Sequence, residues 1–169
     1  PGGTNISEII REVLLDRNNK INSFAETLLF LASRTQLMEE VISPMLAKDE
    51  FVICDRFVDS TVVYQGYGRG LDIDLINKIN LISTQNILPY LTIYITIDVD
   101  MSVKRRAVIN NDRMEASGKS FLSNVKRGYD ELADLYPERI KIINGNDTIP
   151  NIQEKIQNII KEQYKGLIC

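Results

Sequence analysis

Three short, branched, apolar runs constrain the chain most: Phe51-Val52-Ile53-Cys54, Leu91 to Ile97, and Arg139 to Ile143. Each is too short for a stable helix. Near-continuous apolarity suits strands of a parallel sheet covered on both faces. Helical patterns lie between them. Ile6, Ile10, Val13 and Leu14 share one face of a helix ending near Asp16, and a longer helical stretch runs from Phe24 to Ala47, stopped or bent by Pro44. Asp72 opens a helix with Ile73, Ile76, Ile79 and Ile82, and Leu122, Val125, Tyr129 and Leu132 line another. Pro150 begins the last, followed by Ile152, Ile156, Ile159 and Ile160. Strands separated by helices predict an α/β fold with right-handed crossovers and helices on both sheet faces, in one domain. Such sheets bind ligands beyond the carboxyl ends of their strands. Those ends are Asp55-Arg56, Asp98-Val99-Asp100 and Asn144 to Asp147, all polar.

Composition narrows the chemistry. The 169 residues include no histidine. That removes Ser-His-Asp and Cys-His nucleophiles, imidazole zinc sites and histidine general bases. Chemistry must come from carboxylates, arginines, lysines, backbone amides or a bound metal. A formal net charge of -3 gives no sign of nucleic-acid binding. Cys54 and Cys169 make no disulfide framework; Cys54, in its apolar run, reads as a buried thiol, and a cytoplasmic, reducing compartment is expected. No apolar run approaches the roughly 18 residues of a transmembrane helix, so no membrane partner is expected.

Two glycine signals are decoys. Ser117-Gly118-Lys119-Ser120 resembles the tail of a phosphate-binding loop, but Arg113 stands where that motif needs glycine and no strand precedes it. Gly66-Tyr67-Gly68-Arg69-Gly70 puts its third glycine one position early for a dinucleotide fingerprint and reads as a flexible or tight loop.

Four other groupings are sharper. Asp55-Arg56 sits at a strand end, where a carboxylate could orient the arginine or meet a hydrated metal, and the guanidinium fork matches phosphate oxygens. A structural ion pair is the plainer reading. Phe30 and Arg34, at i and i+4, put a flat ring and a fork on one helix face, fit to stack on and hydrogen-bond a nucleobase; core packing is the plainer reading. The run from Ser60 to Gly66 offers hydroxyls and an amide to a ligand's polar edge, or is an ordinary polar helix start. Lys104-Arg105-Arg106 and Asp112-Arg113-Met114-Glu115 bracket a polar loop fit for phosphate clamping, or a solvated charged loop.

Taken in order, these pieces resemble the thymidylate kinase family over nearly the whole chain. Leu29 to Gln36 resembles the family's Phe-x-x-x-Arg helix. Asp55-Arg56-Phe57 matches its Asp-Arg-aromatic motif, and Asp59-Ser60 through Gly70 the segment after it. Asp112 to Glu115 matches the end of its lid. The resemblance implies a P-loop NTPase-like, three-layer α/β/α fold of nucleoside monophosphate kinase type, as a single domain over 1–169 with a lid at about 105–120. It implies ATP-dependent phosphorylation of dTMP to dTDP in dTTP biosynthesis, with Mg²⁺, in a homodimer formed through the broad apolar helix Phe24 to Ala47.

The resemblance also assigns roles. Phe30 would stack on thymine and Arg34 would bond the base edge. Thr61 and Gln65 would help hold the base. Tyr64 would lie against the deoxyribose. Arg56 would grip the dTMP phosphate, with Asp55 beside it and near the magnesium. Arg113 would be a lid arginine near the transferring phosphoryl group. Arg106 would lie along adenine, with Asn144, Gly145 and Asn146 bordering that base. Pro1 would belong to a turn flanking dTMP, with the family's first strand and phosphate loop expected upstream of it. The alternatives are a deoxynucleoside kinase, which phosphorylates a 5′-hydroxyl, and a non-catalytic nucleotide-binding protein.

Overall fold

A computed structural model describes residues 2–106 and 118–165; the side chains of 104–106 lie outside that description. Helix α1 spans Asn5–Leu15, capped by the Thr4 hydroxyl, which accepts from the Ser7 amide. Helix α2 spans Ser23–Leu37 and continues through a wide π-helical turn, Met38–Ile42, into the short α3, Ser43–Leu46. The wide turn lies directly before Pro44, whose ring carries no amide hydrogen and crowds the carbonyl four residues earlier. The proline therefore widens this helix instead of ending it. The Ser7 hydroxyl donates to the Ser33 carbonyl at 2.8 Å and ties α1 to α2.

The next helical run opens with α4, Val58–Thr61, and winds on as a second π-helical segment, Val62–Gly68. The expected glycine loop is thus helical as far as Gly68. A Cβ on Gly68 would come within 2.5 Å of the Phe121 ring, so the glycine permits close packing there. Helix α5, Ile73–Ser83, begins at Asp72, whose carboxylate caps the Leu75 amide at 2.8 Å.

Strand β1, Thr92–Thr96, and strand β2, Ile140–Asn144, pair in parallel with Thr92 opposite Ile140 and Thr96 opposite Asn144. Between them run α6, Val99–Arg106, and α7, Lys119–Leu135; α8, Ile149–Gln163, follows with Pro150 in its first turn. Helices separating two adjacent parallel strands are what the apolar runs predict. The third run does not form a strand: among the described residues Phe51 to Cys54 has no sheet partner. Ile53 is 93% exposed, because no described segment lies alongside to complete a ladder. Cys54 is correspondingly exposed and free, not the buried thiol expected.

One core joins these elements. Val62, Val63 and Tyr64 of the π-helical segment meet Ile76 of α5, Phe121, Leu122, Val125 and Leu132 of α7, and Tyr94 and Ile140 of the strands. Burying side chains of this size stabilises by about 1.5–3 kcal/mol each. Tyr94 stacks on Tyr129 with ring centroids 4.8 Å apart, seating α7 on the sheet. Asp59 anchors the start of the 58–68 run: both its oxygens accept from Arg139 at 2.8 Å, and Thr92 donates to it at 2.9 Å.

Candidate active site

Helix α2 carries Glu26, Phe30 and Arg34 at successive i, i+4 positions, so they form one stripe. Opposite stand Thr61, Gln65 and Arg69, likewise four apart. The two stripes run antiparallel. At one end Arg34 Nη2 donates to Thr61 Oγ1 at 2.7 Å and to the Phe57 carbonyl at 3.2 Å. At the other, Gln65 Nε2 donates to Glu26 Oε1 at 3.0 Å, and Arg69 pairs with the same carboxylate at 3.2 and 3.3 Å. Phe30 stands between these ends in sequence, half-buried against the core.

Arg34 is held from a third side. Its Nη1 donates to Asn80 Oδ1 at 2.8 Å, while Asn80 Nδ2 donates to the Val58 carbonyl at 3.2 Å. Asn80 thereby presents its oxygen to the arginine. The Phe57 ring lies 5.3 Å from the guanidinium carbon. Desolvation lowers the Arg34 pKa to about 10, with Cys54 and Asp59 acting the other way, so the group remains a cation at neutral pH. Its hydrogen-bond partners, Asn80, Thr61 and the Phe57 carbonyl, are all neutral, and Asp59 acts on it only through space.

Arg56 sits at φ 71°, a left-handed conformation uncommon for a residue with a side chain and enriched at functional sites. Its guanidinium lies over the Tyr64 ring at 4.9 Å and donates to the Tyr64 hydroxyl at 3.0 Å. Tyr64 meets Phe121 edge-on, with centroids 5.9 Å apart. Beside this group Ser60 and Tyr129 share a 2.7 Å hydrogen bond; burial pushes the Tyr129 phenol up to about 12. Asp55 and Arg56 are exposed.

The ends of β1 and β2 form a second polar region. The Gly145 amide donates to the Thr96 carbonyl at 2.7 Å. A Cβ at 145 would stand 2.9 Å from that carbonyl oxygen and 2.8 Å from Ile95, so only glycine fits this approach. Asn144 accepts from the Asn146 amide, and Asn146 reaches Asp98 at 3.2 Å. Asp147 accepts from Lys155, Asn151 and Thr148, which hold its carboxyl down at about 2.

The structure thus brings Arg34 together with Thr61, and Arg56 with Tyr64. It gathers Asn144, Gly145 and Asn146 at the strand ends. It records no hydrogen bond between Asp55 or Arg56 and those ends among the described residues. Pro1, Arg113 and the Arg106 side chain lie outside the described residues, as does most of the expected lid. Sequence reading passed over Glu26, Arg69 and Asn80. A carboxylate four residues before Phe30, and an asparagine inside an isoleucine-rich helix, were the signals available. A separate cleft of about 580 Å³, lined by Leu81, Leu88, Leu132, Tyr136 and Arg139, draws on residues preceding the strands, away from their carboxyl ends.

A parallel-stranded α/β fold with polar groups at its strand ends, together with an aromatic-cation stripe on α2, defines the class of nucleotide-handling α/β domains. Comparison with known proteins makes this specific. The thymidylate kinase family model matches residues 1–156. Thymidylate kinase from Kosmotoga olearia is 45% identical over 157 residues, covering 92% of this chain and 76% of that protein. The Caldanaerobacter subterraneus thymidylate kinase is 41% identical over 166 residues, covering 98% and 80%. The crystal structure of thymidylate kinase from Ehrlichia chaffeensis superposes with a TM-score of 0.77 at 31% identity, over 95% of this chain and 77% of that one. The chain belongs to the thymidylate kinase family, and its fold is the P-loop nucleoside monophosphate kinase fold.

Proposed function

We infer that this chain phosphorylates dTMP to dTDP with ATP, a step in dTTP biosynthesis. The observation that carries the site assignment is the antiparallel pairing of Glu26-Phe30-Arg34 with Thr61-Gln65-Arg69. It frames one aromatic face between a fixed cation and a fixed amide, which suits a pyrimidine. Phe30 stacks on the base, Arg34 donates to its edge, and Thr61 and Gln65 complete the surround. Tyr64 lies against the sugar. Arg56, held over the Tyr64 ring, grips the 5′-phosphate.

The adenine side is the β1–β2 end. Asn144, Gly145 and Asn146 border the base there, with Arg106 along it and Arg113 over the transferring phosphoryl group. Transfer forms a bond from a dTMP phosphate oxygen to the γ-phosphorus and breaks the bond to ADP. The protein's share is alignment and positive charge around the equatorial oxygens, which arginines supply without histidine.

Magnesium fits what the chain offers. Among the described residues no cluster of three or more acidic or sulfur ligands exists, and Asp55 is a single exposed carboxylate. Mg²⁺ commonly takes one or two carboxylates and keeps its waters and the nucleotide phosphates as other ligands. Asp55 would hold it, directly or through water; the ion's chemistry is charge neutralisation on the phosphates.

A homodimer is the proposed assembly. Ile6, Ile9 and Val13 of α1, with Phe24 and Leu28 of α2, are exposed on adjoining helices. Sedimentation at micromolar concentration should give a dimer; monomer alone would reject it. No helix among the described residues is long and apolar enough to cross a membrane, and the exposed free thiol of Cys54 supports a reducing, cytoplasmic setting.

The functional test is an ATP-coupled assay of the full-length protein with dTMP and, separately, thymidine. Turnover of dTMP is expected. Turnover of thymidine and not dTMP would reject the assignment in favour of a nucleoside kinase.

A further inference from the structure

Gln65 can present either end of its amide to a ligand, and Glu26 decides which. A carboxylate offers only acceptors. Glu26 is fully buried, and the Arg69 guanidinium donates to both of its oxygens. Its Oε1 takes a hydrogen from Gln65 Nε2 at 3.0 Å. Turning the Gln65 amide over would set its oxygen against that carboxylate, two acceptors face to face in a buried place, and strand the NH₂ group. Gln65 is itself only 2% exposed, and its side-chain hydrogen bond among the described residues is the donation to Glu26.

We propose that Glu26 is a positioning residue that sets base specificity by locking Gln65 with its carbonyl oxygen as the group offered to the base. This rests on the reading that Gln65 and Arg34 meet the edge of the pyrimidine. Arg34 carries donors only. A locked acceptor beside a fixed donor is the complement of an N3–H next to a 4-oxo group, as in thymine. A 4-aminopyrimidine presents the reverse order, an acceptor at N3 and a donor at N4, and would leave both protein groups unpaired. Sites built this way discriminate strongly, because rejection includes the cost of stranded buried polar groups.

The experiment compares dTMP with 5-methyl-dCMP, which differ only at ring positions 3 and 4. Steady-state constants are measured for the full-length wild type and for Glu26→Gln, whose amide can accept as well as donate and so frees Gln65 to turn. The dTMP KM should rise about tenfold, with kcat within about threefold. The 5-methyl-dCMP KM should stay level or fall, so the ratio of the two kcat/KM values drops at least about tenfold.

The exchanged pair Glu26→Gln with Gln65→Glu returns a single carboxylate to the contact and an acceptor to the base side. It should recover the ratio to within about threefold, which a merely structural role for Glu26 would not produce. In a Gln65→Ala background, adding Glu26→Gln should change the ratio no further. An unchanged ratio in folded Glu26→Gln, equal loss for both nucleotides without recovery in the exchanged pair, or a further change in the Gln65→Ala background would each overturn the proposal. Should Glu26→Gln alone fail to fold, the exchanged pair decides by the same ratio. A wild type inactive on dTMP would overturn the functional reading; an active wild type with an unmoved ratio in the variant overturns the lock alone.

Discussion

The two ends of the proposed site are built differently. On the base side, α2 and the 61–69 segment are tied at both ends by hydrogen bonds to half-buried or buried groups, with a carboxylate and a cation each fixed in place. On the other side, Asp55, Arg56 and Asn144 are exposed, Asp147 is half-buried, and Arg56 rests on Tyr64. The base side is pre-organised; the phosphate and adenine side is assembled from surface loops. Recognition of a small flat base gains from rigidity because ordering is already complete. Phosphoryl transfer between two nucleotides needs a site that opens and closes.

Breaking the anchor of the rigid side should cost most. Arg139→Ala strands the largely buried Asp59 carboxylate, and denaturant unfolding should show a loss of about 3 kcal/mol. A loss under about 0.5 kcal/mol would mean that the pair behaves like a surface ion pair. Next, Arg34→Ala removes a fixed cation from the base slot. The dTMP KM should rise about 30-fold, corresponding to about 2 kcal/mol, while the ATP KM stays within about twofold. Equal losses for both nucleotides would make Arg34 structural.

Substitutions on the open side should act in smaller, nucleotide-specific ways. Gly145→Ala forces a methyl against the Thr96 carbonyl and Ile95, at a cost of about 1–2 kcal/mol in unfolding. It should weaken ATP before dTMP; the opposite order would misplace adenine. Least of all, Asp147 should titrate near 2 by carboxyl NMR, and Lys155→Ala should bring it back toward 3.8. Its folded value lies below the unfolded one, so whatever stability it adds is present above about pH 4 and lost as pH falls toward 2. Titration at its ordinary value in the wild type would dissolve the Lys155 contact.

Much of this was legible from residue spacing. Helices α1, α5, α7 and α8 follow from a repeat of apolar residues every three or four positions; in α7 that repeat is buried, with Leu122, Val125 and Leu132 in the core, whereas in α1 and α5 part of it, Ile6, Val13 and Ile82, is exposed. Phe30 with Arg34 followed from i, i+4 geometry alone. Pairing with a neighbour is not written into a run of four apolar residues. Phe51 to Cys54 therefore read as a strand, while the structure gives it no ladder partner among the described residues. The π-helical winding of 62–68 was hidden as well, since its glycines look like a loop until Phe121 is seen against Gly68. The contacts of Glu26 with Gln65 and Arg69 join residues 39 and 43 apart, and only the antiparallel placement of two helices reveals them.

The most direct measurement is a crystal structure of the full-length protein with dTMP bound. The account predicts the thymine ring stacked on Phe30, its edge within hydrogen-bond reach of Arg34 and Gln65, and its phosphate against Arg56. Thymine found instead in the cleft between Leu81, Leu88 and Leu132, with Phe30 still packed in the core, would contradict it.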